Sequence, residues 1–307
     1  MKKIVLAVLI FCSLSAFAQD TEKSAETSKW TKGGMFTFQF NQVSLTNWAA
    51  GGQSSLSVNT MLNVFANYKD DKQTWSNSLD IGYGLLKQGS APLIKSDDRI
   101  ELNSKYGRNI NDAWFYSALL NFKTQMADGF NYPNDNKRIS KFLAPGYMIL
   151  ALGFDYNPSE SFTYLLSPIT SKVTIVNDQT LADAGAFGVD AAEVDGAGVV
   201  TANGRKIRYE VGAYLKMMYK KDIMENVSFQ TKLDLFSNYL NNPQNIDVNW
   251  EVLVGMKINK YLTATLNTHL IYDDDIVIDN NNDGIADVVG PRTQFKEVFG
   301  LGLSLKF

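Results

Sequence analysis

The sequence predicts an all-β fold: a transmembrane, antiparallel, up-and-down β-barrel of about 12 strands. Three observations carry this prediction. Apolar and polar residues alternate with period two along most of the chain from Trp30 onward. The connections between these runs are alternately short and long. An export signal opens the chain, and no later stretch reaches the roughly 18 uncharged apolar residues of a membrane-spanning helix.

The export signal is "MKKIVLAVLIFCSLSAFAQD": Lys2 and Lys3, an apolar run from Ile4 to Leu14, then Ala16-Phe17-Ala18. A basic start, a short apolar core and a small-x-small cleavage site define a secretory leader, whereas a membrane anchor needs about 20 apolar residues. Residues 1–18 are therefore assigned to a signal peptide, 19–29 to a polar periplasmic leader, and 30–307 to an outer-membrane β-barrel. Bulky Phe11 before Cys12 argues against a lipoprotein signal, which carries a small residue there. Cleavage after Ala18 removes Cys12, the only cysteine, and with it any disulfide or thiol chemistry. Loss of Lys2 and Lys3 leaves 27 basic against 32 acidic residues. No basic excess points to nucleic acid, which is excluded as a partner class.

The strands are expected, in order, at 34–45, 54–69, 73–87, 98–107, 113–126, 141–156, 161–176, 206–220, 226–240, 245–258, 261–273 and 292–307. In the second, Leu56, Val58, Thr60, Leu62, Val64, Ala66 and Tyr68 share one face, and Ser57, Asn59, Met61, Asn63, Phe65 and Asn67 the other. A strand sends successive side chains to opposite faces, while a helix would scatter the same residues all round. The third sets Trp75, Leu79, Ile81, Tyr83 and Leu85 against Ser76, Ser78, Asp80, Gly82 and Gly84. The fourth sets Ile100, Leu102 and Tyr106 against Arg99, Glu101, Asn103 and Lys105. The sixth and seventh are irregular: Pro145 interrupts one and Pro168 the other, and proline inside a strand marks an edge or a bulge. The eighth opposes Tyr209, Val211, Ala213, Leu215, Met217 and Tyr219 to Arg208, Glu210, Gly212, Tyr214 and Lys216. The tenth opposes Ile246, Val248, Trp250, Val252, Val254 and Met256 to Asp247, Asn249, Glu251, Gly255 and Lys257. In the last, Phe299, Leu301, Leu303, Leu305 and Phe307 alternate with Gly300, Gly302, Ser304 and Lys306. Phe307 resembles the terminal aromatic of an outer-membrane assembly signal, so the barrel-assembly machinery is an expected partner during insertion.

Short connections fall around "KDDK", "RNINDA", "NPSE", "DIMEN" and "NK". The connections between them are longer, with 177–205 and 274–291 the most extended. Outer-membrane barrels combine tight periplasmic turns with longer outer loops in this way. A soluble sandwich also alternates, but its strands typically run about 5–6 residues, short of the roughly 9–11 that cross a bilayer at a tilt. Tyr68, Trp75, Trp114, Tyr156, Tyr219, Tyr239, Trp250 and Tyr272 near strand ends would form aromatic girdles at the two lipid interfaces.

The inward face carries Asp80, Arg99, Glu101, Lys105, Lys123, Asp155, Arg208, Glu210, Lys216, Lys232, Asp234, Asp247, Glu251, Lys257, Asp273, Lys296 and Lys306. The signs are mixed. A one-sign ring would indicate ion selectivity, whereas mixed charges line a wet narrow pore or lock a closed interior. Open channels use about 16 strands or more, so a smaller barrel admits only a narrow passage. Loop 177–205 is long enough to fold inward over it.

Two places invite a chemical reading. In "DNNNDGIAD", Asp279, Asn281, Asp283 and Asp287 alternate oxygen ligands around the turn-permitting Gly284, as in a calcium loop. An Asn/Asp-rich surface turn explains the same residues, and both readings stay open. Calcium is thus the one cofactor to consider. His269, the only histidine, faces inward and fits a lumen hydrogen bond better than catalysis. No catalytic triad, P-loop or dinucleotide fingerprint is visible, and no enzyme activity is expected.

The segments "KWTKGGMFTFQFNQVSLTNWAAGG", "SPITSKVTIVNDQTLADAGAFGV" and "TQFKEVFGLGLSLKF" resemble a Bacteroidota family of outer-membrane proteins that carries a domain-of-unknown-function label. The resemblance implies the barrel and the outer membrane of a Gram-negative bacterium as compartment, with membrane lipid as its surroundings, and implies no activity. Two functions compete: a narrow channel for small hydrophilic solutes, and a non-conducting structural or accessory subunit among other outer-membrane proteins.

Overall fold

The computed structural model describes residues 28–46, 52–132, 134–276 and 293–307. Twelve long antiparallel strands close into a barrel. They are β1 (Trp30–Val43), β2 (Ser55–Lys69), β3 (Gln73–Gln88), β4 (Ile94–Asn109), β5 (Trp114–Thr124), β8 (Gly146–Ser159), β9 (Phe162–Ile175), β12 (Ile207–Met224), β13 (Val227–Asn238), β14 (Ile246–Lys257), β15 (Leu262–Tyr272) and β16 (Gln294–Lys306). Each pairs with its neighbour in the chain, and β16 closes the ring on β1. The four short strands lie in the long connections. β6 (Gly129–Asn131) pairs with β7 (Asn134–Ser140), and β10 (Glu193–Val194) with β11 (Val200–Ala202). One short helix, α1 (Gln179–Asp183), follows β9.

Four strand limits differ from expectation by four residues or more; β4 begins at Ile94 rather than 98, and β12 runs to Met224 rather than 220. β1 begins at Trp30 rather than 34, because Trp30 through Gly33 pair with Tyr68 through Phe65 of β2. The sixth wall strand begins at Gly146 rather than 141. Lys141 and Ala144 bridge each other instead, and Leu143 takes a left-handed φ of 57°, so the chain turns before it can join the wall.

Short polar side chains fasten the tight turns. Asp70 accepts from the Lys72 and Gln73 N–H groups at 2.9 and 2.8 Å and from the Tyr68 hydroxyl at 2.8 Å. These bonds, that of Lys72 N–H foremost, hold its carboxyl down at about 2. Asn111 accepts from the Ala113 and Trp114 N–H groups, and Asn259 from those of Tyr261 and Leu262. Each is a side chain closing a turn on its own backbone.

The outside of the barrel is apolar. Phe38, Leu102, Leu150, Leu152, Leu166, Phe299, Leu301 and Leu303 all stand exposed on it. At the short-turn end aromatic rings gather. Trp30 lies 5.3 Å from Tyr68 and 5.9 Å from Trp75, and Trp114 lies 4.7 Å from Tyr156. Tyr106 stands beside Trp75, and Tyr164 beside Tyr156, on the adjoining strands.

β9 contains a change of phase that alters the inward set. Leu165 and Ser167 are buried, then Thr170 and Thr174 are, so the inward set shifts from odd to even residues. A bulge at Pro168 makes the shift: Leu152 and Phe154 of β8 face Ile169 and Leu166 across it. Ser167 donates to Leu152 O at 2.8 Å and accepts from Thr170 at 2.7 Å, which seals the opened ladder.

Candidate functional site: the lumen and its long-loop mouth

The inward residues divide the interior into two unlike halves. On the wall of β5, β8, β9, β12 and β13, Leu119, Ala151, Leu165, Tyr214 and Phe236 form a buried apolar cluster. The opposite wall of β16, β1, β2 and β3 carries mostly small and polar residues, Gly300, Gly302, Ser57, Asn59, Asn63, Ser76, Ser78 and Gly82, with Met35, Met61 and Phe65 as its apolar members. Of this filling, alternation places only Tyr214 inside; the rest comes from inward positions of strands whose alternation is weak, such as Leu119 beside Leu120.

Charges occupy the space between the halves, and nearly all expected lumen residues meet a partner. Arg99 reaches Glu251 at 3.5 Å. Their strands, β4 and β14, are six steps apart in the ring in either direction, so this pair crosses the full width of the barrel. Lys123 lies 3.6 Å from Glu101, which also accepts from Asn121 at 3.0 Å. Lys105 donates to Asp155 at 2.6 Å, and Lys216 lies 3.5 Å from Asp234. Asp80 accepts from Asn63 at 2.7 Å, Lys296 pairs with Asp97, and Lys232 stands opposite Glu251 in the β13–β14 ladder. His269 lies 2.7 Å from the Asn249 side-chain oxygen and 4.0 Å from Glu251, a lumen hydrogen bond as its position suggested. Lys257 and Lys306 are exposed at the short-turn end and join no ion pair among the described residues.

Sequence reasoning missed the most connected cation. Lys172 lies 2.7 Å from Asp247, 3.5 Å from Asp273 and 3.6 Å from Glu210, with its ammonium 5.1 Å from the Phe236 ring centre. Alternation counted from Tyr164 and Leu166 places Lys172 outside; the Pro168 bulge brings it in. The signal was Pro168 itself, had the phase been restarted after it.

The long connections fold over this end. Ala144, Val176, Leu181, Ala182 and Val189 form a second buried cluster, which fixes loop 176–206 against the turn before β8. From there Gly188 meets the lumen: its carbonyl accepts from Arg208 at 2.9 Å, and Arg208 also pairs with Glu210 and Asp275. The expected inward fold of this loop is thus present at Gly188. A pocket of about 420 Å³ opens there, lined among others by Asp190, Arg205, Arg208, Tyr209 and Asp275.

Asp178 anchors the loop. Its carboxylate caps α1 by accepting from Leu181 N–H at 3.2 Å and lies 3.1 Å from both Arg138 and Lys141. Burial alone favours its protonated form, but the Leu181 bond and the two cations outweigh burial and hold the carboxyl below its usual value. A depressed carboxyl stabilises above the unfolded-state value near 4 and loses that contribution as pH falls through the lower folded value. Limited proteolysis of the 190–204 segment should therefore be constant from neutral pH to about 4 and accelerate only below it. Asp178→Asn should quicken cleavage several-fold at neutral pH, consistent with loss of about 1 kcal/mol or more at a charged cap.

The calcium-type residues Asp279, Asn281, Asp283 and Asp287 lie outside the described residues, as do the signal peptide and Asn47 to Gly51. Among the described residues no group of acidic or histidine side chains is arranged to hold a metal.

No curated protein matches the sequence significantly. Among solved structures, the chain is similar to the translocator domain of the autotransporter NalP from Neisseria meningitidis, at 8% identity and a TM-score of 0.39, over 100% of this chain and 98% of that one. It is similar to an outer membrane channel from Pseudomonas putida F1 at 12% identity and a TM-score of 0.39, over 94% and 100% of the two chains. It is similar to the NanC porin at 9% identity and a TM-score of 0.37, over 89% and 100%. In sequence, residues 40–130, from the end of β1 into β6, match the family described as "Protein of unknown function (DUF3078)".

Proposed function

We propose that this chain is an outer-membrane β-barrel of a Gram-negative bacterium that forms a narrow passage for small hydrophilic solutes, closed at rest. An apolar outside with an aromatic girdle supports residence in lipid, since a closed barrel satisfies its own backbone there. The short turns face the periplasm, and the assembly machinery inserts the barrel after the signal peptide is cut. The observation that carries the closed passage is the Arg99–Glu251 pair, which spans the lumen and leaves room only beside it. The path runs along the half lined by glycine, serine and asparagine. One inward atom of that half, Asn59 Oδ1, is buried without a protein partner, as suits a hydrated interior.

Conductance across planar bilayers tests the reading. The native barrel should show small, infrequent openings. Arg99→Ala combined with Glu251→Ala removes both charges, so that neither is left unpaired, and should raise unit conductance several-fold. Silence from both proteins, each correctly folded, would reject the channel.

A further inference from the structure

The ring does not close evenly at β1 and β16. β2 pairs with β1 over its whole length, from Trp30 to Val43. β16 pairs with β1 only from Met35–Lys306 to Gln39–Gly302, extended at the short-turn end by mutual bonds between Gly34 and Phe307 at 2.8 and 3.1 Å. In that register Gln42 would face Phe299 and Val43 would face Val298, but the ladder has ended. Beyond it β16 runs on to Gln294, past the reach of β1.

Backbone direction follows from the last bonded pair. An antiparallel strand points alternate residues' N–H and C=O groups to alternate sides. Phe307 bonds to β1, and Ser304 N–H bonds to Tyr261 O on the β15 side. Odd residues of β16 therefore point at β1. Phe295, Glu297 and Phe299 direct their main-chain groups into the gap, with no partner on that side among the described residues, whereas Leu301 still accepts from Phe40 N–H beside the last pair, Gln39–Gly302. Their side chains are also the outward set, with Phe295 63% and Phe299 64% exposed. This edge thus lies in the apolar belt, where an unpaired backbone is not tolerated. Glu297 adds a carboxylate to the same outer surface, which lipid also disfavours unless it is paired.

The seam is clasped where its ladder stops. Gln39, 4% exposed, reaches over β16 and donates to Thr265 of β15 at 2.6 Å. Gly300 makes room for it, since a Cβ there would stand 2.5 Å from the Gln39 side chain.

The geometry points to a docking site for one extended strand of another outer-membrane polypeptide along Phe295–Phe299. Such a strand supplies the missing donors and acceptors, continues the apolar outer face, and carries a basic residue against Glu297. A second copy of this chain fits less well. Antiparallel self-pairing over the edge brings two Glu297 carboxylates within a residue or two of each other in hydrocarbon. The inference rests on the membrane-spanning part of the proposed function and is independent of conductance.

The test uses the mature barrel in lipid nanodiscs, its fold verified by heat-modifiable migration in electrophoresis. The probe is a synthetic peptide alternating leucine and threonine with one central lysine. It should slow amide exchange at Phe295, Glu297 and Phe299 by at least tenfold. A peptide N-methylated on its bonding edge should not, and one with a central glutamate should bind more weakly. Glu297→Lys should reverse that last preference. Amides of Phe295, Glu297 and Phe299 already protected in the lone barrel would overturn the inference, as would a Gln42→Cys/Phe299→Cys disulfide forming quantitatively without peptide. So would absence of slowing by the lysine peptide, or cross-linked dimers of a Leu301→Cys variant. A folded barrel that conducts but ignores the peptide removes this inference alone, whereas a chain that fails to enter lipid removes the reading beneath it.

Discussion

Lys172→Ala is expected to destabilise the barrel by about 3–5 kcal/mol, the range for breaking a buried ion pair from one side. The substitution leaves Glu210, Asp247 and Asp273 facing one another, all within 3.6 Å of the vacated ammonium. Glu210 is only 2% exposed and has Arg208 as its remaining cation. Urea unfolding of the barrel in lipid, followed by tryptophan fluorescence, reads the loss. Lys172→Arg should recover most of it. The deficit should also shrink as pH is lowered through the carboxylate range, because protonation removes the repulsion that the variant suffers. A deficit independent of pH would place the role of Lys172 in its contact with Phe236 instead.

Gly153→Val is expected to block assembly altogether. A Cβ at Gly153 would stand 2.1 Å from the Leu166 carbonyl oxygen and 2.6 Å from the Ser167 Cα. Both obstacles are backbone, so no rotamer change relieves them, and the Pro168 bulge holds β9 close at this point. The variant should lose its heat-modifiable folded band, a cost above the roughly 4–5 kcal/mol that single substitutions seldom exceed. Gly196→Val is the control. Nothing lies within 4 Å of its Cβ, and its stability should stay within about 0.5 kcal/mol of the parent. Retained assembly of the Gly153 variant would mean that the β8–β9 contact can yield.

The twelve wall strands were legible because period-two alternation is imposed on each strand separately by lipid outside and water or charge inside. It needs no information from neighbours, and limits such as 54–69 against Ser55–Lys69 differ by a residue. The charged pairs were legible as a mixed inward set but not as pairs. That Arg99 meets Glu251 and not Glu101 depends on shear and strand tilt, which alternation does not encode. Lys172 was lost for a local reason, the phase shift at Pro168. Tyr214 was legible on the inward face of its strand, but the filling around it, Phe236 included, was lost because phenylalanine satisfies either face of such a wall. The unfinished ladder between β1 and β16 was invisible for a different reason. Both strands alternate cleanly to their ends, and nothing in either sequence records how many residues the other will meet.

The unequal filling of the interior has a mechanical consequence. A wall braced by interlocked bulky side chains resists bending, while one lined by glycine and serine and joined by a partial seam yields. The barrel should therefore breathe along one axis only, with β1–β3 and β16 as its compliant side and β5 through β13 as a stiff shell. Hydrogen exchange in lipid should divide the strands into those two groups. Any widening of the lumen would then come from the soft side moving away from a stationary one.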